Sequence, residues 1–203
     1  MERVMRASLI LTASIIALIT LPQAPVSAQP ASSPAPVRDA GDAASKAVGV
    51  ASADTLGSYN AGAFVDNAAR GDMYEIRAGQ MAEVKAMSPE IKAFGARMVK
   101  AHTKTTEALK AALAQSGAKA SIPDDLDARR KGLLENLRAS SGAEFDRRYV
   151  AQQIAAHEEV RDLMKGYAEH GDNPTLKAAA AKTLIVVDRH LRMLKKLPGG
   201  QAA

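Results

Sequence analysis

The chain of 203 residues carries 27 Lys and Arg against 22 Asp and Glu, a net charge of +5, with no Cys, no Trp and 3% aromatic residues. The missing thiols exclude disulfides, thiolate metal sites and a lipid-modified amino-terminal Cys, so any metal must take nitrogen, oxygen or thioether ligands. Basic and acidic residues are interleaved along every segment and only 3 Phe and 4 Tyr are present, a pattern of solvated helix faces that argues against nucleic-acid binding.

At the amino terminus Arg3 and Arg6 precede an apolar stretch from Ala7 to Leu21, which Pro22 and Pro25 end before the small residues of Val26-Ser27-Ala28. This is the order of a secretory signal peptide cleaved after Ala28, so residues 1–28 are expected to be removed and the protein exported to the periplasm or cell envelope. An uncleaved anchor is the alternative, but the stretch is shorter than the roughly 20 apolar residues a spanning helix needs, and no stable membrane span is expected after cleavage. Residues 29–59 are rich in Pro, Ala, Ser and Gly and read as a flexible linker. A weak helix between Ala43 and Val50 is compatible with the sequence.

From Asn60 the apolar residues recur at spacings of three and four, and the predicted class is all-α. A first helix is expected from Asn60 to Ala86. Ser88 as cap and Pro89 at the first helical position open a second, which Gly117 ends. Pro123 with Asp124 and Asp125 is expected to start a short helix to about Ala139; Gly142 leads a third long helix to about Gly171, and Asn173-Pro174 opens a fourth that runs to Pro198. Residues 60–198 therefore form one bundle domain, with 199–203 as a tail. The two tight connections predict two antiparallel hairpins, and the longer segment between them allows either the crossover of a ferritin-like bundle or a simple up-down bundle with an extra helix.

At about 100° per residue, the core stripe of the first helix (Phe64, Ala68, Gly71, Gly79, Ala82) has Glu75 at its centre. The stripe of the second (Ile91, Phe94, Met98, Leu109) contains His102. Counted from the turn between them, Glu75 and His102 come level. His157 flanks the core stripe near the middle of the third long helix, and His190 flanks that of the fourth, about one turn further from its own hairpin. A buried carboxylate is costly when alone, so one reading is a Glu75–His102 pair, assisted by Gln152 and Tyr149, that fixes helix register without chemistry. The other is a mononuclear metal site of nitrogen and oxygen ligands built on Glu75, His102 and His157, for which Fe, Cu and Zn are the candidates. No Glu stands three residues before any His, which argues against a di-iron site. His170 reads as a helix-end cation, Met98 and Met164 as core, and Met73, Met81 and Met193 as side chains off the stripes that pack against the short helix or a partner. No Gly-x-Ser-x-Gly, phosphate-cradling loop or His-Glu-x-x-His is present; Ser140-Ser141-Gly142 reads as capping material.

Phe64, Ala68-Ala69, Gly71, Glu75-Ile76, Gly79 and Ala82, then Phe94, Met98-Val99 and His102-Thr103, then Phe145-Asp146, Tyr149 and His157, then His190-Leu191 and Met193 together resemble the exported bacterial family known as domain of unknown function 4142. The resemblance covers Ala61 to Leu197. It implies a ferritin-like four-helix bundle of the periplasm or envelope with no established activity, and it marks Glu75, His102, His157 and His190 as the polar positions of interest. Ala101 and Leu184-Ile185 depart from the pattern, where an acidic residue and a proline are common. The expected function is a non-enzymatic binding or stress-related module, with metal binding as the alternative; partners are unspecified and a homo-oligomer is compatible with the sequence.

Overall fold

A computed structural model describes residues 59–200. The expected signal peptide, the linker before Tyr59 and the tail from Gln201 lie outside the described residues. Five helices follow one another: α1 (Ala61–Lys85), α2 (Pro89–Ser116), α3 (Ala128–Ala139), α4 (Gly142–His170) and α5 (Pro174–Leu194). Their starts are set by side chains that satisfy orphan amides of the first turn. Asn60 Oδ1 accepts from Ala63 N at 2.8 Å, Ser88 Oγ from Ile91 N at 3.3 Å and Asn173 Oδ1 from Leu176 N at 3.1 Å. Gly117 closes α2 in the left-handed region, at φ 67°, where a Cβ would be strained.

Two ends differ from expectation. The short helix starts at Ala128 rather than near Pro123, because Asp127 is its cap, accepting from Arg130 N at 2.7 Å; Asp125 is instead engaged with Arg77 at 3.0 Å and Lys131 at 2.7 Å. The last helix stops at Leu194, after which Lys196 N and Leu197 N bond three residues back to Met193 and Leu194 carbonyls at 3.0 Å and carry the chain through turns.

Contacts at the helix ends fix the topology. Asp172 N donates to the Tyr59 carbonyl at 3.1 Å, placing the start of α1 beside the α4–α5 turn. Met87 N and Ser88 N donate to Asp146 at 2.9 and 2.8 Å, placing the α1–α2 turn beside the start of α4. Asn173 Nδ2 donates to the Ser116 carbonyl at 3.0 Å, joining the end of α2 to the start of α5. Two antiparallel hairpins therefore pack with α2 and α4 running in the same direction, so the chain must return along the bundle between them. The segment containing α3 makes that return, with α3 packed on α1 and α4. This is the crossover arrangement, and the simple up-down alternative is excluded.

Apolar burial occurs in two layers. One is centred on Ile91, Phe94, Met98, Leu137, Phe145 and Tyr149, the other on Phe64, Val65, Leu109, Met164, Tyr167 and Leu176. Met73, Met81 and Met193, which fall off the predicted stripes, are partly buried against the first layer. Asp72 and Glu75 on α1, His102 on α2 and His157 on α4 stand where the two layers meet, while Gln152 and Gln153 of α4 are buried within the first. Among the described residues no helix is long and apolar enough to cross a membrane.

The α1–α2 hairpin is unusually close where Gly79 faces Gly95. A Cβ built on Gly95 would stand 2.7 Å from the Gly79 carbonyl oxygen and 2.8 Å from Ala82 Cβ, so one methyl group forces the backbones apart. Gly95→Ala is expected to destabilise by about 1–3 kcal/mol through overpacking, whereas Gly132→Ala, at an exposed site on α3 with no atom within 4 Å, should stabilise by about 0.5–1 kcal/mol through helix propensity. Chemical denaturation of both variants checks the contrast; equal effects would contradict the close approach.

Candidate metal centre

The middle of the bundle brings together three imidazoles from three helices. His102 of α2, His157 of α4 and His190 of α5 are all buried, at 4%, 1% and 3% exposure. One ligand nitrogen from each lies within 4.8 Å of the other two. His157 Nε2 is 3.3 Å from His190 Nδ1, and the ring centroids are separated by 5.3 to 5.6 Å. The sequence placed His190 about one turn away from the others. It lies among them, because heights counted from separate turns assume that the α1–α2 and α4–α5 hairpins end level, and an imidazole leans along its helix toward the amino terminus.

Two of the three rings, His102 and His157, are oriented by a partner behind them. His102 Nδ1 is 2.8 Å from Asp72 Oδ1, and a carboxylate only accepts, so Nδ1 carries hydrogen and Nε2 faces the other rings. Asp72 is itself held, accepting from Thr105 Oγ1 at 2.7 Å and Thr106 Oγ1 at 3.0 Å. His157 Nδ1 is 2.8 Å from the Gln153 carbonyl; by the same reasoning it donates, leaving Nε2 as a lone pair. The bond between His157 Nε2 and His190 Nδ1 then carries a hydrogen donated by His190, at the place where a Lewis acid shared by the two rings would sit.

Glu75 is 1% exposed, and neither of its oxygens has a hydrogen-bond partner. Its nearest cationic candidate is His157 Nδ1 at 3.7 Å, already committed to Gln153. The expected hydrogen-bonded pair of Glu75 with His102 is therefore not formed. Asp72, one turn earlier on the same face, takes that place, and the equal heights counted along the helices could not distinguish the two carboxylates. Nor do Gln152 and Tyr149 assist Glu75. Gln152 Oε1 accepts from Tyr74 at 2.8 Å, and the Tyr149 hydroxyl is buried without a partner against Phe94 and Phe145.

Electrostatics follow from this burial. Burial raises Glu75 from 4.5 to about 7, opposed by the charge of His102 and by the Gln153 amide, which stands close without hydrogen-bond geometry. Burial disfavours protonation of His102, but the Asp72 hydrogen bond and charge, with Glu75, outweigh it and hold its pKa above the ordinary imidazole value. Burial, then repulsion from His102 and His190, pushes His157 well below that value, and burial with repulsion from His102 pulls His190 down to about 4. Two imidazoles are thus kept neutral at physiological pH, the form that binds metal.

The fourth histidine, His170, is outside the group. It closes the last turn of α4, 3.6 Å from Glu169 and beside the Tyr59 ring. Ser140 and Ser141 stand at the α3–α4 junction: Ser140 Oγ donates to the Leu137 carbonyl at 3.0 Å, and Ser141 occupies the position before α4 without a side-chain capping bond.

Comparison with known proteins gives one match. The family described as Domain of unknown function (DUF4142) matches residues 46–197. No curated protein and no solved structure matches the chain.

Proposed function

The chain belongs to the family described as Domain of unknown function (DUF4142), and from that premise we propose that it is a metal-binding protein whose centre is His102, His157 and His190. The observation that carries this reading is the convergence of three buried imidazoles, two of which have their outer nitrogens held, His102 by Asp72 and His157 by the Gln153 carbonyl. Carboxylate–histidine and carbonyl–histidine pairs fix the tautomer and raise ligand basicity in metal sites. Register alone would be served by one satisfied pair; it does not explain three buried imidazoles facing each other in the middle of the bundle.

Three nitrogen ligands suit a borderline cation, and zinc, copper and iron in mononuclear form are the candidates. Glu75 supplies negative charge beside the cation. The topology of two hairpins and a crossover supports a ferritin-like assignment, and the amino-terminal pattern supports export. The broader reading, a non-enzymatic binding module, is narrowed by the same geometry to binding a metal ion.

Reconstitution of the purified protein with zinc, copper or iron, followed by elemental analysis and calorimetry, tests the proposal. One ion per chain is expected. Asp72→Asn is expected to weaken affinity about 10–100-fold by releasing the His102 ring, and His157→Ala to remove stoichiometric binding. A saturating ion at about 100 times Kd should add about 2.7 kcal/mol to wild-type stability and nothing to the His157 variant. Binding that survives loss of all three histidines, or no stoichiometric ion, defeats the reading.

A further inference from the structure

Charges that alternate along the chain are sorted by the fold. α2 and α5 together hold nine Lys and Arg against three Asp and Glu, while the rest of residues 59–200 holds fourteen against fifteen. The two helices are neighbours and run in opposite directions, with His102 and His190 level. From that level toward the end of α2 they part into an open slot of about 550 Å³, walled by Ala108, Ala111 and Gln115 on α2 and by Thr175, Ala178 and Lys182 on α5. These residues mark which row of each helix meets the other. Counted in steps of three, four and seven, the row on α2 continues back to Lys104 and Arg97, and the row on α5 continues from Lys182 to Arg189. Lys100 and Arg192 lie one turn from Lys104 and Arg189, toward solvent. All six cations are exposed. The charges of Arg97 and Arg189 both reach the buried His190, so they stand close together on the two sides of the seam.

Among the described residues none of the six has an ion-pair or side-chain hydrogen-bond partner. The acids of the two helices are engaged elsewhere, Glu107 by Lys110 at 3.2 Å, Asp188 by Arg161 of α4 at 2.9 Å and Glu90 by the Ser88 hydroxyl. Like charges gathered on one face repel, and no acid within it offsets the cost. An external anion does. Arg97 to Lys104, and Lys182 to Arg189, are each held about 10 Å apart by the helix rise, so the cations cannot converge on one small anion. They can meet a surface of many. Ile185, 61% exposed, stands between Lys182 and Arg189. α5 has no Phe, Tyr or Trp, and the one in α2, Phe94, is buried, so the face offers no ring on which a nucleobase would stack. Cations around an exposed aliphatic on a helical face suit a membrane interface, with the charges at anionic headgroups and the apolar side chain at the acyl boundary.

We propose that the α2–α5 face of the bundle lies against an anionic phospholipid surface, with Arg97, Lys100, Lys104, Lys182, Arg189 and Arg192 at the headgroups and Ile185 entering the apolar boundary. The attachment is peripheral and needs no spanning helix.

Flotation of the purified protein, residues 29–203, with vesicles of phosphatidylcholine alone or with about one-third phosphatidylglycerol tests the proposal. Binding to the anionic vesicles and not to the neutral ones is expected, falling about tenfold or more between about 0.05 and 0.5 M salt. Lys104→Gln with Arg189→Gln should weaken it about 25-fold, from about fivefold per cation at a lipid surface. Lys131→Gln with Lys165→Gln removes the same charge from exposed sites on α3 and α4 and should weaken it less than about threefold. Ile185→Ser should weaken it at least about fivefold. Every substituted side chain is exposed, so the far-ultraviolet circular dichroism of each variant should match wild type. Equal losses in the two double variants would reduce the effect to net charge and overturn the proposal. Equal binding to neutral vesicles, an Ile185→Ser variant indistinguishable from wild type, or binding to a DNA duplex with none to the anionic vesicles would each overturn it as well. No metal enters these measurements, so the metal reading stands or falls separately.

Discussion

Glu159→Ala is expected to lower the unfolding free energy by about 3 kcal/mol, read from urea titration at pH 7. Glu159 is 7% exposed and accepts both arms of the Arg129 guanidinium, at 2.9 and 2.8 Å, as well as Arg130 Nη2 at 3.0 Å. The Arg130 side chain is only 6% exposed. Its other partner is Asp127, the α3 cap, so removing Glu159 leaves a desolvated guanidinium with half of its compensation. The retained Asp127 is the reason for placing the effect at the lower end of what a broken buried ion pair costs. Exposed pairs behave differently. Glu107→Ala, which breaks a contact whose side chains are 51% and 68% exposed, should change stability by less than about 0.5 kcal/mol. If Glu159→Ala fell in that small range, the buried tie would not be what holds α3 in place.

The consequence reaches the metal centre. Arg129, Arg130, Leu133 and Glu159 line a small crevice whose inner wall includes Glu75. Loosening α3 admits water to that carboxylate and removes the burial that raises its pKa. The double variant Arg130→Met with Glu159→Leu should recover part of the lost stability, because an apolar pair replaces the more buried half of the tie at little cost, while Arg129, whose side chain is 25% exposed, loses its Glu159 partner and turns to solvent.

Much of the fold was legible because helix ends and core faces are local properties. Asn60, Ser88-Pro89, Gly117 and Asn173-Pro174 act through hydrogen bonds or backbone angles within one turn, and the helices start and stop where those residues stand. The short helix was placed too early because Pro123, Asp124, Asp125 and Asp127 are all plausible starts in isolation; long-range pairing of Asp125 with Arg77 decides among them. Burial of Glu75 and His102 was readable from helical periodicity, whereas His157 and His190, which flank their stripes, are buried as fully because their rings turn inward toward the cluster. The identity of their partners was not, since a carboxylate one turn away on the same face satisfies the same wheel. Asp72 carried a signal nonetheless: it stands three residues before Glu75, and Thr105-Thr106 follow His102 by three and four, the spacing that places a second polar row beside the first. The open slot between α2 and α5 left only its alanines in the sequence, and small residues equally mark close helix contact, as Gly79 and Gly95 do on the other side of α2.

Glu75→Gln is expected to stabilise the metal-free protein at pH 8 by up to about 3 kcal/mol, from a pKa raised from 4.5 to about 7 at 1.36 kcal/mol per unit. The native state keeps this proton where the unfolded chain has lost it. The contribution is therefore complete below pH 4.5 and declines as pH rises through about 7, beyond which the fold must hold an unpartnered buried carboxylate. The amide removes that alkaline loss, and the two proteins should converge in stability below pH 4.5. His157 and His190 act in the opposite direction. Their lowered pKa values contribute stability above pH 6.5 that is lost as pH falls, toward about 4 for His190, and the substitution leaves this acid limb in place. His102, raised by Asp72, contributes below pH 6.5 and loses that contribution as pH rises through its folded value. Metal binding should respond with the reverse sign, because the amide removes negative charge beside the cation and releases affinity for zinc. Thermal melts from pH 4 to 9, with and without zinc, read both quantities. A variant less stable than wild type at pH 8 without metal would make Glu75 a structural residue; one more stable yet weaker for zinc would mark a carboxylate retained in the core for the ion and not for the fold.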